Sequence, residues 1–134
     1  MIINKIFEGL SIKYSKETSV SDAYVSNTTA IDYLVSTPAL MSMIIEASCK
    51  MLDDLLPQQY FTVGNKLELS HINPTLIGDT ITLIVTVEKV DNNKIFLDIV
   101  GADSKGKVCV GKYNKVIVDR NLLMENAYRR AQGW

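Results

Sequence analysis

The spacing of apolar residues differs along the chain, and the longest apolar stretch has the spacing of a helix. From 40 to 55 they cover most of a helical circumference. One narrow polar stripe remains on this helix: Ser42, Glu46, Lys50 and Asp53/Asp54. A hydroxyl N-cap followed by proline is typical of a helix start, and here Thr37 precedes Pro38. The pattern therefore predicts a helix from Pro38 to Asp54 that ends before Pro57, with Thr37 as its N-cap.

After the helix, apolar residues recur at every second position, which is typical of strands with one buried face. Four such strands follow, with alternation near 63–69, 81–87, 95–99 and 108–118. Turn-forming sequences at 91–93 and 103–106 predict hairpins, so the strands from about 79 to 118 form an antiparallel meander. The first 29 residues predict one or two further strands. A short terminal helix is predicted over about 121–131.

A long helix that is apolar over most of its surface must be covered on several sides. The prediction is therefore a single α+β domain over residues 1–134, in which a curved antiparallel β-sheet wraps a long central helix. The few strands cannot cover the whole helix, so a second copy of the chain is expected to complete the burial as a homodimer.

The charge balance narrows the range of partners. The 134 residues include 14 Lys and Arg against 15 Asp and Glu, for a net charge of -1. Without a basic block, a surface for nucleic acid or anionic membrane is disfavoured. No window is apolar for long enough to predict a membrane span. The expected partner is a small molecule or another protein chain.

The cysteines and the single histidine limit metal and redox chemistry. Cys49 and Cys109 lie far apart in apolar segments, which favours reduced thiols in a cytoplasmic protein over a disulfide. One histidine and two distant cysteines give no recognisable metal-ligand spacing, so no metal is expected. Residues 101–107 match most of a phosphate-binding loop. However, Val108 stands where a metal-binding hydroxyl is needed, so a hairpin turn is the better interpretation.

Two residues could carry chemistry. His71 stands where a predicted strand ends before Asn73-Pro74, and it is either a structural histidine or a functional one. Thr37 has two compatible interpretations. It can cap the helix, and the N–H groups of Ala39 and Leu40 beside it could polarise a carbonyl oxygen.

At these residues the sequence resembles the hotdog-fold thioesterases, in the branch that contains fluoroacetyl-CoA thioesterase. The resemblance runs from about Val35 to Asp119. It rests on Val35-Ser-Thr-Pro-Ala-Leu40, on Leu56-Pro57 leading to Thr62-Val63-Gly64, on His71 with Pro74-Thr75 and Gly78, and on the final strand from Gly111. It implies a hotdog domain, usually dimeric, that binds an acyl thioester of coenzyme A at the subunit interface. Coenzyme A is then part of the substrate, and no separate cofactor is expected.

The resemblance also implies site residues. In that branch a Thr at the helix start, a Glu eight residues later and a His on the following strand act together on the thioester. Thr37 and His71 match the first and the third. Ile45 stands at the position of the Glu, and Glu46 follows one residue later, about 100° further around the helix. Glu46 is therefore either a site carboxylate reached through a helix irregularity or the i,i+4 ion-pair partner of Lys50.

Three functions stay open on the sequence alone. The first is hydrolysis of a small acyl-CoA, with Thr37, Glu46 and His71 as catalytic residues. The second is a non-catalytic module that binds an acyl thioester and has replaced the carboxylate by Ile45. The third is transfer of the acyl group to another thiol. The expected substrate-binding residues are Ala39, Leu40, Ile45, Gly64 and Asn65.

Overall fold

Seven strands and two helices form the part of the chain that the computed structural model describes, residues 5–25 and 30–133. In chain order they are β1 (Ser11–Glu17), β2 (Ala23–Val25), β3 (Ala30–Val35), α1 (Thr37–Leu52), β4 (Tyr60–His71), β5 (Thr80–Asp91), β6 (Lys94–Asp103), β7 (Gly106–Asp119) and α2 (Arg120–Ala131). Short 3₁₀ turns at Val20–Asp22 and Asp53–Leu55 precede β2 and follow α1.

The main sheet is antiparallel and has the strand order β1-β5-β6-β7-β4. Its centre is the predicted meander of β5, β6 and β7, and both predicted hairpins are present. Asn92 in the first hairpin has a φ of 54°, and Gly106 in the second has a φ of 133°. Asparagine and glycine tolerate these positive angles best, which explains why these residues form the turns. Strands β2 and β3 pair with each other in a separate small sheet.

Helix α1 packs inside the curve of the main sheet. It contacts β1 and β4, which are the two opposite edges, as well as β5, so the sheet has to bend around it. The inward-facing side chains alternate along the strands and are fully buried against apolar side chains of the helix. The strand residues are Ile81, Leu83, Val85, Ile95 and Leu97, and the helix residues are Leu40, Ile44 and Ala47. The predicted α+β architecture, a long central helix wrapped by a curved antiparallel sheet, is confirmed.

The ends of the helices differ slightly from the prediction. Helix α1 begins at Thr37, and its α-helical part ends at Leu52 before the 3₁₀ turn. The carboxylate of Asp53 in that turn accepts hydrogen bonds from the N–H (3.1 Å) and the hydroxyl (2.7 Å) of Thr62. The end of the helix is thereby joined to β4. Helix α2 begins after Asp119, whose side chain caps it.

The N-terminal prediction is confirmed as far as the structure describes it. The strands expected in the first 29 residues are β1 and β2, and residues 1–4 and 26–29 lie outside the described part. Neither α1 nor α2 combines the length and the hydrophobicity that a helix needs to cross a bilayer.

Candidate active site

Thr37 does not cap helix α1, contrary to the prediction. The N-cap is Ser36, which has an extended backbone (φ -80°, ψ 156°) and accepts a hydrogen bond from the Ala39 N–H at 3.1 Å. Thr37 takes the first position of the helix, directly before Pro38. Because Ser36 satisfies the helix end, the hydroxyl group of Thr37 is available for another partner.

That partner is His71, the last residue of β4. Thr37 Oγ1 lies 2.8 Å from His71 Nδ1, which is hydrogen-bond distance, and the imidazole tautomer decides which atom donates. The end of β4 is held against β7, because the N–H groups of Ile72 and Asn73 both donate to the Val108 carbonyl. The fold thus brings together two predicted site residues that are 34 positions apart in the sequence.

A cavity of about 280 Å³ lies beside this pair. Its lining residues are Leu34, Val35, Thr37, His71, Ile72, Asn73 and Pro74. His71 Nε2 is buried and has no hydrogen-bond partner among the described residues. An unsatisfied buried polar atom costs about 1–3 kcal/mol, so a ligand or a water molecule is the expected partner. Sequence reasoning missed the wall formed by 72–74, although the Asn73-Pro74 turn next to His71 was a signal for it.

The predicted role of the helix N–H groups needs a correction. The Ala39 N–H donates to Ser36 Oγ, and the Leu40 N–H donates to the Ser36 carbonyl at 3.2 Å. Neither group is free to polarise a carbonyl oxygen, and the Leu40 side chain is fully buried in the core. Pro38 has no N–H, and no hydrogen bond between described residues uses the Thr37 N–H. Thr37 therefore offers both an N–H and a hydroxyl group at the helix start.

Glu46 lies on another side of α1. Nine residues separate it from Thr37, which is about two and a half turns, so the two side chains point in opposite directions from the helix axis. The Glu46 side chain is 55% exposed, and its carboxylate lies 3.6 Å from Lys50 Nζ. Burial of Tyr14, together with its hydrogen bond to Glu46, raises the pKa of that tyrosine. The structure shows the ion pair with Lys50 and does not bring Glu46 to His71.

The expected substrate-binding residues do not gather around the cavity of the single chain. Ile45 is 44% exposed and does not line the cavity. Gly64 and Asn65 form a bulge in the N-terminal half of β4, roughly 20 Å along the strand from His71. A Cβ atom on Gly64 would lie 2.1 Å from the Tyr113 hydroxyl oxygen, so the absence of a side chain at 64 lets that ring pack. The substrate-binding role of these residues stays a prediction.

Lys115 on β7 is a buried lysine that sequence reasoning missed. Its side chain is 1% exposed, and its amine lies 3.2 Å from Ser48 Oγ and 3.3 Å from Cys49 Sγ. The signal was its place between the inward-facing residues Tyr113 and Ile117, at the period of a strand. Within residues 5–25 and 30–133, no group of three or more His, Cys, Asp or Glu side chains could hold a metal ion.

Comparisons with known proteins give a consistent result. The family model for FlK, the fluoroacetyl-CoA-specific thioesterase, matches residues 18–121. A hot-dog-like protein from Thermanaerovibrio acidaminovorans is 31% identical, with a TM-score of 0.89 and 97% of each chain covered. A thioesterase superfamily member from Thermus thermophilus is 17% identical, with a TM-score of 0.86, and the match covers 97% of this chain and 96% of that one.

FlK itself has the same fold. A variant of FlK in complex with fluoroacetate and CoA is 12% identical, with a TM-score of 0.82, and the match covers 88% of this chain and 99% of that one. The hotdog fold expected from the sequence is thereby confirmed. A comparison with functionally curated proteins gave no significant match.

Proposed function

Because the chain belongs to the family of FlK, the fluoroacetyl-CoA-specific thioesterase, we propose that it hydrolyses a short acyl thioester of coenzyme A. The observation that carries this proposal is the hydrogen bond between Thr37 and His71 at the edge of a cavity. An imidazole held by a hydroxyl group, with its second nitrogen unsatisfied, is the arrangement that general acid–base chemistry requires.

The proposed reaction assigns one role to each nitrogen of His71. Nδ1–H donates to Thr37 Oγ1, which orients the ring and leaves the lone pair on Nε2. Nε2 takes a proton from a water molecule whose oxygen attacks the thioester carbon. The C–S bond of the tetrahedral intermediate then breaks, and the proton passes from Nε2 to the departing thiolate. The products are a carboxylic acid and free coenzyme A.

Thr37 has a second role in this proposal. When Nδ1 is the donor, the hydroxyl hydrogen of Thr37 is free to point at the thioester oxygen, and the Thr37 N–H lies on the same residue. Two donors at the positive end of α1 stabilise the negative charge that develops on that oxygen. This replaces the predicted contribution of Ala39 and Leu40, whose N–H groups are used inside the helix.

Glu46 is not part of the proposed reaction, because its carboxylate pairs with Lys50 on the other side of the helix. No carboxylate among the described residues forms a hydrogen bond or an ion pair with His71. His71 then works without an acidic partner from the described side chains, and a low turnover is expected. The same observation favours the second candidate, a module that binds an acyl thioester without hydrolysing it.

Release of free thiol from a panel of short and medium acyl-CoAs tests the proposal. His71→Ala and Thr37→Val should each lower kcat/KM by about 100-fold or more. Glu46→Gln is the matched control and should keep the parent rate. Loss of turnover in Glu46→Gln would contradict the exclusion of Glu46. A parent that binds acyl-CoA saturably but releases no thiol would identify the binding module.

We further propose that the protein is a homodimer and that the partner covers the open edge of β4. This twelve-residue strand pairs with β7 on one side, and no described strand pairs with its other side. A long unpaired edge is a ready site for a second strand. Exposed apolar side chains, among them Ile72 and Leu76, follow the C-terminal end of β4, next to His71. A second copy would bury them and close the substrate site, as the resemblance implies.

Sedimentation analysis tests the dimer. Ile72→Glu should weaken self-association, because it places a charge on the surface that the partner would bury. Val100→Glu is the matched control, since Val100 is 45% exposed, close to the 49% of Ile72, but lies on the outer face of the sheet. A monomeric parent, or equal effects of the two variants, would contradict the proposed interface.

The remaining features fit a cytoplasmic enzyme, and this location is part of the proposal. Both cysteines are free thiols, which suits a reducing compartment. The chemistry above uses only side chains and water, so acyl-CoA is proposed as the one small-molecule partner and no separate cofactor is required.

A further inference from the structure

The amine of Lys115 and the thiol of Cys49 form a contact that the proposed reaction does not use. Cys49 lies on α1 and Lys115 on β7, and their Nζ and Sγ atoms are 3.3 Å apart. Lys115 is opposite Gly64 in the β-ladder, roughly 20 Å along β4 from His71. The pair is therefore separate from the cavity beside Thr37.

The surroundings direct the Lys115 amine at the sulfur. The side chain is almost completely buried, and no ion pair between described residues includes Lys115. Its other hydrogen-bond partner is Ser48 Oγ, and the Tyr113 ring lies 5.5 Å away. Cys49 is half-buried, so a small oxidant has better access to it than to the fully buried Cys109.

We propose that Cys49 and Lys115 form a reversible sulfur–nitrogen cross-link when the protein meets hydrogen peroxide. First, the Cys49 sulfur attacks one peroxide oxygen, the O–O bond breaks, and the products are a sulfenic acid and one water molecule. The sulfur is oxidised and the peroxide is reduced. Second, the Lys115 nitrogen attacks this sulfur, the S–O bond breaks, and the hydroxide leaves as water with a proton from the amine.

Sulfenic acids condense with nearby thiols or nitrogens, and here the lysine amine lies 3.3 Å from the sulfur. In sum, one thiol, one amine and one peroxide give one S–N bond and two water molecules. Excess thiol reverses the link by attack at the sulfur. The cross-link ties the C-terminal half of α1 to the last strand of the sheet, which makes the pair a candidate redox modification site.

Cys109 is a control within the same chain. It is completely buried, and burial raises the pKa of its thiol, although a backbone contact from Gly101 opposes this shift. No hydrogen bond between described residues joins its side chain to a lysine. A raised pKa and poor access both disfavour oxidation. Peroxide should therefore modify Cys49 and leave Cys109 reduced.

Mass spectrometry of the peroxide-treated protein under non-reducing conditions tests the cross-link. The expected product is lighter than the reduced chain by two hydrogen atoms. After trypsin it yields one peptide pair joined through Cys49 and Lys115, with no cleavage after Lys115, and dithiothreitol restores the starting mass. Cross-linking should be lost in Cys49→Ser and in Lys115→Met and retained in Cys109→Ala.

Lys115→Arg provides a second variant should Lys115→Met fail to fold. Arginine keeps the positive charge but lacks the lysine amine, so it does not form the same link. Oxygen adducts on Cys49 with a free Lys115 amine in the parent would overturn the proposal. Equal oxidation of Cys109, or a cross-link that persists in the folded Lys115 variants, would overturn it as well. The test needs no acyl-CoA, so its outcome is independent of the thioesterase proposal.

Discussion

Two adjacent hydroxyl residues at the start of α1 are expected to have separable roles. Ser36 is buried, and its side chain accepts the hydrogen bond that caps the helix. Ser36→Ala removes this acceptor and leaves the Ala39 N–H without a partner. Loss of such a cap costs about 1 kcal/mol and up to about 2 kcal/mol. For a domain of this size, about 1 kcal/mol corresponds to a fall in Tm of roughly 3–5 °C.

Thr37→Val makes the complementary change. Valine keeps the shape and the β-branch of threonine but cannot bond to His71 Nδ1. This hydrogen bond is only partly buried and lies beside a cavity, where water can replace the hydroxyl group. The expected loss of stability is therefore about 1 kcal/mol or less. The loss of activity should be much larger, about 100-fold in kcat/KM, because the ring loses its orientation and the substrate loses a donor.

The assay measures both quantities on each variant: Tm by thermal denaturation and kcat/KM by thiol release, normalised to folded protein. Ser42→Ala is the control for a serine-to-alanine change, since Ser42 is exposed on the same helix. It should leave Tm within about 1–2 °C of the parent, because alanine is at least as good a helix former. If Ser36→Ala left Tm unchanged, or if it lowered activity as much as Thr37→Val, the assignment of the two roles would be wrong.

Two further predictions concern packing and acid stability. Gly64→Ala should destabilise the fold by about 1–3 kcal/mol in urea unfolding, because the new Cβ would lie 2.1 Å from the Tyr113 hydroxyl oxygen. Adding Tyr113→Phe should recover part of that loss, and no recovery would show that the clash is not with the hydroxyl. Burial of Asp22 would raise the pKa of its carboxyl, but hydrogen bonds from Lys16 at 2.8 Å and from Ser19 outweigh it and lower the pKa. The folded pKa is thus below the unfolded one, so this stabilisation is present above about pH 4 and is lost as the pH falls through the folded pKa. Asp22→Asn should therefore be less stable at pH 7 by about 1.5–3 kcal/mol, and the difference should shrink in acid; an unchanged difference at pH 3 would refute the linkage.

The helix-and-sheet architecture could be predicted from the sequence because it depends on the local periodicity of apolar residues. A continuous apolar circumference indicates a buried helix, and alternation with turn residues at 91–93 and 103–106 indicates a meander. These signals are repeated over many residues, so errors at single positions do not change the result. The same redundancy explains why the helix boundaries moved by one or two residues, and the strands extended by up to four, while the elements stayed.

The sequence also identified His71 and Thr37 as a pair, through their match to a family pattern. It assigned the N-cap to Thr37, and this was wrong, because Ser36 and Thr37 are both good caps and Ser36 takes that position. The choice depends on which residue has extended backbone angles, and that is set by the path of the chain from β3 into α1. Once Ser36 takes the cap, Thr37 is free for His71.

The position of Glu46 and the burial of Lys115 were decided by the tertiary structure. Helical geometry puts Glu46 beside Lys50 and on the opposite side of the axis from Thr37, but only the packing shows that His71 lies on the Thr37 side. Lysine is normally exposed, and a single lysine in an alternating strand does not reveal what covers it. Local pattern therefore determined the elements and two site residues of this protein. Contacts between distant segments decided which polar groups meet, because those contacts depend on how α1 is rotated and seated in the sheet.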